Sequence, residues 1–338
     1  MPARFRKSVN LGGGVKLNLN KKSLSVSAGP RGARYTVSST GRRTSSVGVP
    51  GTGLSYRSSS GPRRRGAPSS AAGEAAQRPA PAVVKPGLFA PKGRKELYRA
   101  FILAQAHGPS AVWMALFDQA AAHPGQAVAA HTVGGVLAAT IAPDWALGHL
   151  SAVYRTPGAP DDDSEVAGYA AAVAVTATVA GLPISLPLGR LLVGLLVGRL
   201  HEERGEVAEA QSAAQSLPDG AVARLAQADL ALRCGNPEAV VSRTDGIANT
   251  DDVTAMALAV RAAALRALGH DGSAVVVARE ALRFPSRSVI ARHRARFESG
   301  SAEAHLGHAA KARTQFEKIL AEDSTYPGIH EALGELLG

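Results

Sequence analysis

Four glycines set the frame of this chain. Gly205, Gly235, Gly269 and Gly307 lie 30, 34 and 38 residues apart. Five residues after each comes a small or apolar residue, Ala210, Val240, Ala274 and Ala312, that opens a new apolar face. A recurrence near 34 residues is the period of stacked helix-turn-helix units, none of which can bury its apolar face alone. The stripes have helical spacing: Ala210, Ala213, Ala214 and Leu217, then Ala274, Val277, Ala278, Ala281 and Leu282, then Ala312, Phe316, Ile319 and Leu320. Gly198, Ala262 and Gly300 fall seven residues before three of the phasing glycines, and such small residues let paired helices approach closely. Pro218 and Pro285 end second helices, because proline lacks the N–H that a helix interior needs.

These positions resemble the tetratricopeptide repeat, with copies starting near Leu191, Ala221, Ala255 and His293. A closing helix carries Ile329, Leu333, Leu336 and Leu337, so the resemblance covers 190–338. It implies a right-handed superhelix whose first helices line a concave groove. The groove-lining positions that it implies are Arg199, Glu202, Asp229, Arg233, Arg266, Arg294, Glu298 and His305. Mixed charge of this kind suits an unidentified protein or peptide segment. The copy near His293 departs most, since Arg292, Arg294, Arg296 and Glu298 make its first helix highly charged. The basic clamp by which some relatives hold a terminal carboxylate is not recognisable.

Upstream, 94–156 carries two degenerate copies of the same unit. Leu97, Phe101 and Ala104 form one helix face, broken at Gly108-Pro109; Trp113, Leu116, Phe117 and Ala120 form a second, stopped by Pro124. Val128, Val133, Val136 and Leu137 indicate a third helix, and Trp145, Leu147, Leu150 and Val153 a fourth, started at Pro143-Asp144. Between these copies and the regular repeats lies an insert, 157–189. Its acidic triplet Asp161-Asp162-Asp163 lacks calcium-loop spacing and reads as loop. Val173, Val175, Ala177 and Val179, then Ile184, Leu186 and Leu188, alternate as a β-hairpin does. The charge-free run 166–189 has the length of a membrane span. Its Ala, Gly and Thr content, with Pro183 and Pro187, argues against one, and no transmembrane segment is expected.

The first 57 residues are different in kind. Val15, Leu17 and Leu19, then Leu24 and Val26, then Tyr35 and Val37 alternate with polar residues. Turn residues separate them at Gly12-Gly13-Gly14, Gly29-Pro30-Arg31-Gly32, Gly41 and Pro50-Gly51-Thr52-Gly53, which predicts an antiparallel meander of five or six strands. The runs Arg4-Phe5-Arg6-Lys7-Ser8, Leu11–Asn18, Ser25–Ala33, Gly41–Thr44 and Pro50–Tyr56 resemble domain-of-unknown-function family 4236, a bacterial family with no established activity. Charge sets this region apart too. Residues 1–73 hold 14 Lys or Arg and no Asp or Glu, whereas the remainder holds 24 basic and 27 acidic residues. Arg42, Arg43, Arg63, Arg64 and Arg65 form a candidate patch for an anionic polymer: nucleic acid, a membrane surface or an envelope glycan. Phe5, Tyr35 and Tyr56 are the aromatics here, too few to support base stacking. Residues 58–93, rich in Pro, Ser and Arg, read as a disordered tether.

The sequence therefore predicts a mainly α protein: a tetratricopeptide-like α-solenoid with a small N-terminal β-meander and a β-hairpin insert. No enzyme signature emerges. His201-Glu202-Glu203 lacks the second histidine of a zinc-protease motif, no phosphate-loop or nucleotide fingerprint is present, and no cofactor is implied. Cys234 is the sole cysteine, which excludes an intrachain disulfide and fits a reducing cytoplasm. The function that follows is a cytoplasmic, non-catalytic bacterial scaffold that binds a protein or peptide in its groove, with anionic-polymer binding as the alternative.

Overall fold

A computed structural model of the chain describes residues 83–107, 111–170 and 174–336, together with the backbone of six N-terminal strands. Two compact units result, Met1–Gln126 and Ala127–Gly338.

The first unit contains the meander and one helical hairpin. Strands β1 (Arg6–Asn10), β2 (Val15–Asn20), β3 (Ser23–Ala28), β4 (Ala33–Ser38), β5 (Arg43–Gly48) and β6 (Ser55–Ser60) pair antiparallel in chain order. The register aligns Val9, Leu17, Val26 and Val37 in one row across β1 to β4. Cross-strand apolar neighbours of this kind stabilise a sheet. The glycine turns between strands and the tether from 61 to 82 lie outside the described residues. Helix α1 (Lys92–His107) then packs on α2 (Ala111–Ala121), burying Leu97 and Phe101 with Trp113 and Phe117.

The second unit opens with the hairpin of α3 (Ala127–Ala138) and α4 (Pro143–Tyr154). Pro143 starts α4, where its missing N–H costs nothing. A short helix follows where the sequence suggested only loop: α5 (Ser164–Ala170). The acidic triplet explains it. Asp163 Oδ1 accepts from the backbone N–H of Glu165 and Val166, both at 2.9 Å, and so caps the helix. Asp161 Oδ1 accepts from Arg190 N–H at 2.7 Å. These carboxylates serve backbone donors. The antiparallel strands β7 (Ala174–Val179) and β8 (Leu182–Pro187) come next.

Four helical hairpins complete the unit: α6 (Arg190–Glu203) with α7 (Val207–Gln215), α8 (Ala221–Arg233) with α9 (Pro237–Arg243), α10 (Asp252–Ala267) with α11 (Asp271–Ala281), and α12 (Val289–His305) with α13 (Ala309–Glu322). Helix α14 (Ile329–Glu335) closes the array. The four phasing glycines end the four first helices. Their φ angles are 75°, 71°, 76° and 78°, a left-handed conformation that would cost another residue about 1–2 kcal/mol. Each makes the same pair of bonds. In the first copy Gly205 N–H donates to Glu202 O and Glu206 N–H to His201 O, both at 2.9 Å. Gly235 with Asn236, Gly269 with His270 and Gly307 with His308 repeat the pattern. The recurrence is thus one backbone device, used four times to reverse the chain.

Stacking follows from composition. Helix α8 packs on α10 and α10 on α12, while α9 and α11 each fill the angle below the next first helix. Helix α10 therefore has neighbours on several sides, and its run from Thr254 to Ala264 is buried except Arg261. Alanine suits that site because it gives the highest helix propensity with the least width. Asp251 and Thr254 form a reciprocal capping box at its start.

Candidate partner-binding slot

The β-hairpin positions the site. Its turn is Ala180-Gly181, both at positive φ (50° and 79°), the geometry that matches the twist of two paired strands. Alternation then assigns the faces. Ala177, Val179, Leu182 and Leu186 are buried, whereas Thr176, Thr178, Pro183, Ser185 and Pro187 are exposed. Val179 and Leu182 join the apolar core built on Leu225, Ala228 and Met256, so the hairpin tip is fastened to the helices. Strand β7 is the one that lies against α6 and α8.

Between β7 and the C-terminal halves of α6 and α8 runs a slot of about 110 Å³. Thr178 and Val179 bound it on the strand side, Leu195, Ala226 and Leu230 give it an apolar floor, and Ala210 and Ala214 of α7, with Leu217 just beyond that helix, lie at its base. Arg199, Glu202, Asp229 and Arg233 line its charged side. Arg233 organises that side. Its Nη1 and Nη2 donate to the two carboxylate oxygens of Glu202 at 2.5 and 3.2 Å, and its Nε donates to Asp229 Oδ2 at 3.1 Å. The hydrogen bond to Glu202, working against partial burial, holds the guanidinium pKa above its ordinary value. Arg199 reaches the carbonyl of Ala139 at 3.2 Å and Glu203 at 3.3 Å, which ties α6 to the residue after α3.

The remaining groove positions named from the sequence fall elsewhere. Arg266, Arg294 and Glu298 do come together, but as an internal cluster. The Glu298 carboxylate, 2% exposed, receives Arg266 Nε at 3.2 Å and lies 2.8 Å from Arg294 Nε. His305 stands apart, with Nδ1 3.3 Å from Asp271 Oδ1. The charged face of α12 is likewise turned to internal use. Glu322 of α13 accepts from Arg292, Arg296 and His293 at 3.2, 2.8 and 3.3 Å. Burial lowers the His293 pKa, although the bond to Glu322 opposes it. Burial pushes the Glu322 carboxyl up, but the Arg296 hydrogen bond and the charges of Arg292 and Arg296 outweigh it and hold the pKa low. Burial drives Tyr326, beside His293, up to about 12. Of the basic N-terminal patch, Arg43 begins β5 opposite Val37 and Ser60, its side chain outside the described residues, as are Arg42 and Arg63–Arg65 entirely.

The sequence did not single out Thr176, Thr178 or Ala226. A signal was there: Pro183 and Pro187 lie four apart in one strand, and prolines on one parity mark an edge. A second concavity, about 490 Å³ beside the start of α8, is larger, but its Arg224 already donates to the carbonyls of Arg243 and Asp245. Among the described residues no group of three or more His, Cys, Asp or Glu is placed to hold a metal ion, and no helix is long and apolar enough to cross a membrane.

Comparison with known proteins sorts the two ends of the chain. Residues 3–57 match the family Protein of unknown function (DUF4236). That segment is the basic meander. For the helical body, the N-terminal domain of the EccA1 ATPase from the ESX-1 secretion system of Mycobacterium tuberculosis is similar over 71% of this chain and 88% of its own length, at 15% identity and a TM-score of 0.51. At that identity the likeness shows a shared fold alone. The APC/C hetero-tetramer Cut9–Hcn1 (14% identity, 73% of this chain and 46% of that one) and a tetratricopeptide repeat protein from Parabacteroides merdae (11% identity, 73% and 99%) score 0.37 and 0.34 and add nothing to the assignment. No curated protein matches the chain. The helical body is tetratricopeptide-like, and the DUF4236 meander precedes it.

Proposed function

We propose that this chain is a non-catalytic bacterial scaffold of the cytoplasm, and that it holds a protein or peptide segment in the slot between β7, α6 and α8. The observation that carries the proposal is convergence: Arg199, Glu202, Asp229 and Arg233, separated by up to 34 residues in sequence, line one recess with an apolar floor. An apolar floor with a few fixed polar groups is the composition of a binding site. The test uses the full chain as bait in affinity capture with chemical cross-linking. Partners of wild type should cross-link near α6 and α8 and be lost from Ala226→Arg, which fills the slot. Partners that persist undiminished on that variant contradict the proposal.

A second function, contact with an anionic surface, is favoured by one feature of the first unit. Leu88 and Phe89 are 83% and 97% exposed, next to exposed Lys85 and Lys92 and downstream of the acid-free segment. Apolar side chains flanked by cations suit a membrane surface better than a nucleic acid. Sedimentation of the full chain with phosphatidylglycerol vesicles, but not with phosphatidylcholine, is expected; equal binding to both rules it out.

A further inference from the structure

The two edges of the β-hairpin are not equivalent, and the difference follows from register. A two-residue turn makes Val179 and Leu182 a hydrogen-bonded pair, so hydrogen-bonded and non-hydrogen-bonded pairs alternate from there. Ala177 with Ile184 and Val175 with Leu186 bond to each other. Thr178 with Pro183, Thr176 with Ser185 and Ala174 with Pro187 do not, and residues at such positions direct N–H and C=O away from the hairpin. On β8 two of those three outward positions are proline, which has no N–H. That edge cannot template a strand. On β7 the outward positions Thr176 and Thr178 keep both groups. Among the described residues neither makes a further backbone or side-chain hydrogen bond. Thr178 also lines the slot.

We infer that the slot takes an extended peptide, which adds to the outer edge of β7 as a third strand. This deepens the proposed scaffold function and rests on it. The occupant follows from the chemistry. Thr176 and Thr178 offer two donors and two acceptors spaced for a strand, so the recognised element is a peptide main chain. Successive side chains of an added strand point alternately down and up. Every second residue therefore faces Leu195, Ala226 and Leu230, and the size of the slot limits those residues to small or β-branched apolar side chains. The charged side of the slot sets Arg199 and Arg233 against Glu202 and Asp229 and sums to no net charge, so the peptide needs no particular charge at its centre.

The test pans a displayed library of random dodecapeptides on the full chain. Selected peptides are then measured against three variants. Thr178→Pro removes an outward N–H but no β7–β8 bond, just as Pro183 does opposite it. It is expected to weaken binding about tenfold or more, since a donor is lost and the proline ring obstructs the incoming strand. Ser185→Pro makes the same change on the other edge and should leave binding unchanged. Ala226→Arg fills the slot and should abolish binding. Each selected peptide is also scanned by N-methylation, and binding should fall at every second residue only. That periodicity does not depend on any variant folding. Binding kept by Thr178→Pro, or N-methyl sensitivity without period two, overturns strand addition; if Ala226→Arg still abolishes that binding, the scaffold function stands without it. Binding insensitive to all three variants, or no peptide selected, overturns both.

Discussion

Gly198 and Gly300 occupy the same place in two repeats, and adding one methyl to each should shift stability in opposite directions. In a helix interior alanine is favoured over glycine by about 1 kcal/mol. At Gly198 an added Cβ would find Ala210 O at 3.8 Å and Ala213 Cβ at 3.9 Å, ordinary contact distances. Gly198→Ala should therefore stabilise the α6–α7 hairpin by close to that full 1 kcal/mol. At Gly300 the added Cβ would lie 2.5, 2.9 and 3.0 Å from Cε1, Cδ1 and Cζ of Phe316. Carbon atoms rest about 3.5–4.0 Å apart, so the ring would have to move by roughly 1 Å. It has little room: Phe316 is 1% exposed, with the Phe297 ring centroid 5.7 Å away and Ile319 and Ile329 in the same core. Overpacking of this kind costs about 1–3 kcal/mol, so Gly300→Ala should destabilise α12–α13 by up to about 2 kcal/mol net. Amide hydrogen exchange read by mass spectrometry resolves the hairpins separately, which a single melting curve of a repeat array does not. Exchange should slow about fivefold in α6 and α7 of the first variant and quicken in α12 and α13 of the second. The same sign in both would refute the packing argument.

Two further perturbations probe the charge clusters. Glu298→Ala leaves Arg266 and Arg294 facing each other without their carboxylate, and should cost about 2–3 kcal/mol, below the figure for a fully buried pair because both arginines are partly solvated. Glu280→Ala, which removes the exposed partner of Arg283, should stay within about 0.5 kcal/mol; equal effects in urea titration would contradict this. Acid should loosen the C-terminal hairpin in two windows. The folded pKa of His293 is depressed, so the unfolded chain binds the proton more tightly, and stability falls as pH drops below the ordinary imidazole value of 6.5. Glu322 is also depressed, so its contribution is present above 4.5 and lost as pH falls further. His293→Gln should abolish the first window in exchange measurements on α12 and α13 and keep the second; an unchanged profile would show that His293 is not responsible.

How far the sequence reveals these features depends on how local they are. The phasing glycines were legible because a helix-ending turn is set by the few residues around it, and the structure puts all four at the expected backbone conformation. The apolar stripes and the alternation of 174–187 were legible for the same reason. Helix α5 was not, because seven residues carry little periodicity and its signal, the cap at Asp163, sits in a triplet that looks like solvated loop. Glu298 looks like a surface residue in an arginine-rich helix. Its burial depends on Arg266, 32 positions earlier, which no local pattern encodes. The edge of β7 is intermediate: Pro183 and Pro187 mark which edge is closed, but only the packing of β7 beside α6 and α8 shows that the open edge borders a slot.

The account turns on what the edge of β7 does when a partner is present. Residue-resolved amide exchange of the full chain, with and without a peptide selected on it, reads this directly. The N–H groups of Thr176 and Thr178 have no partner among the described residues and should exchange quickly in the free chain, then become protected in the complex while the amide of Ser185 stays fast. Protection elsewhere, with Thr176 and Thr178 still fast in the complex, would contradict the account.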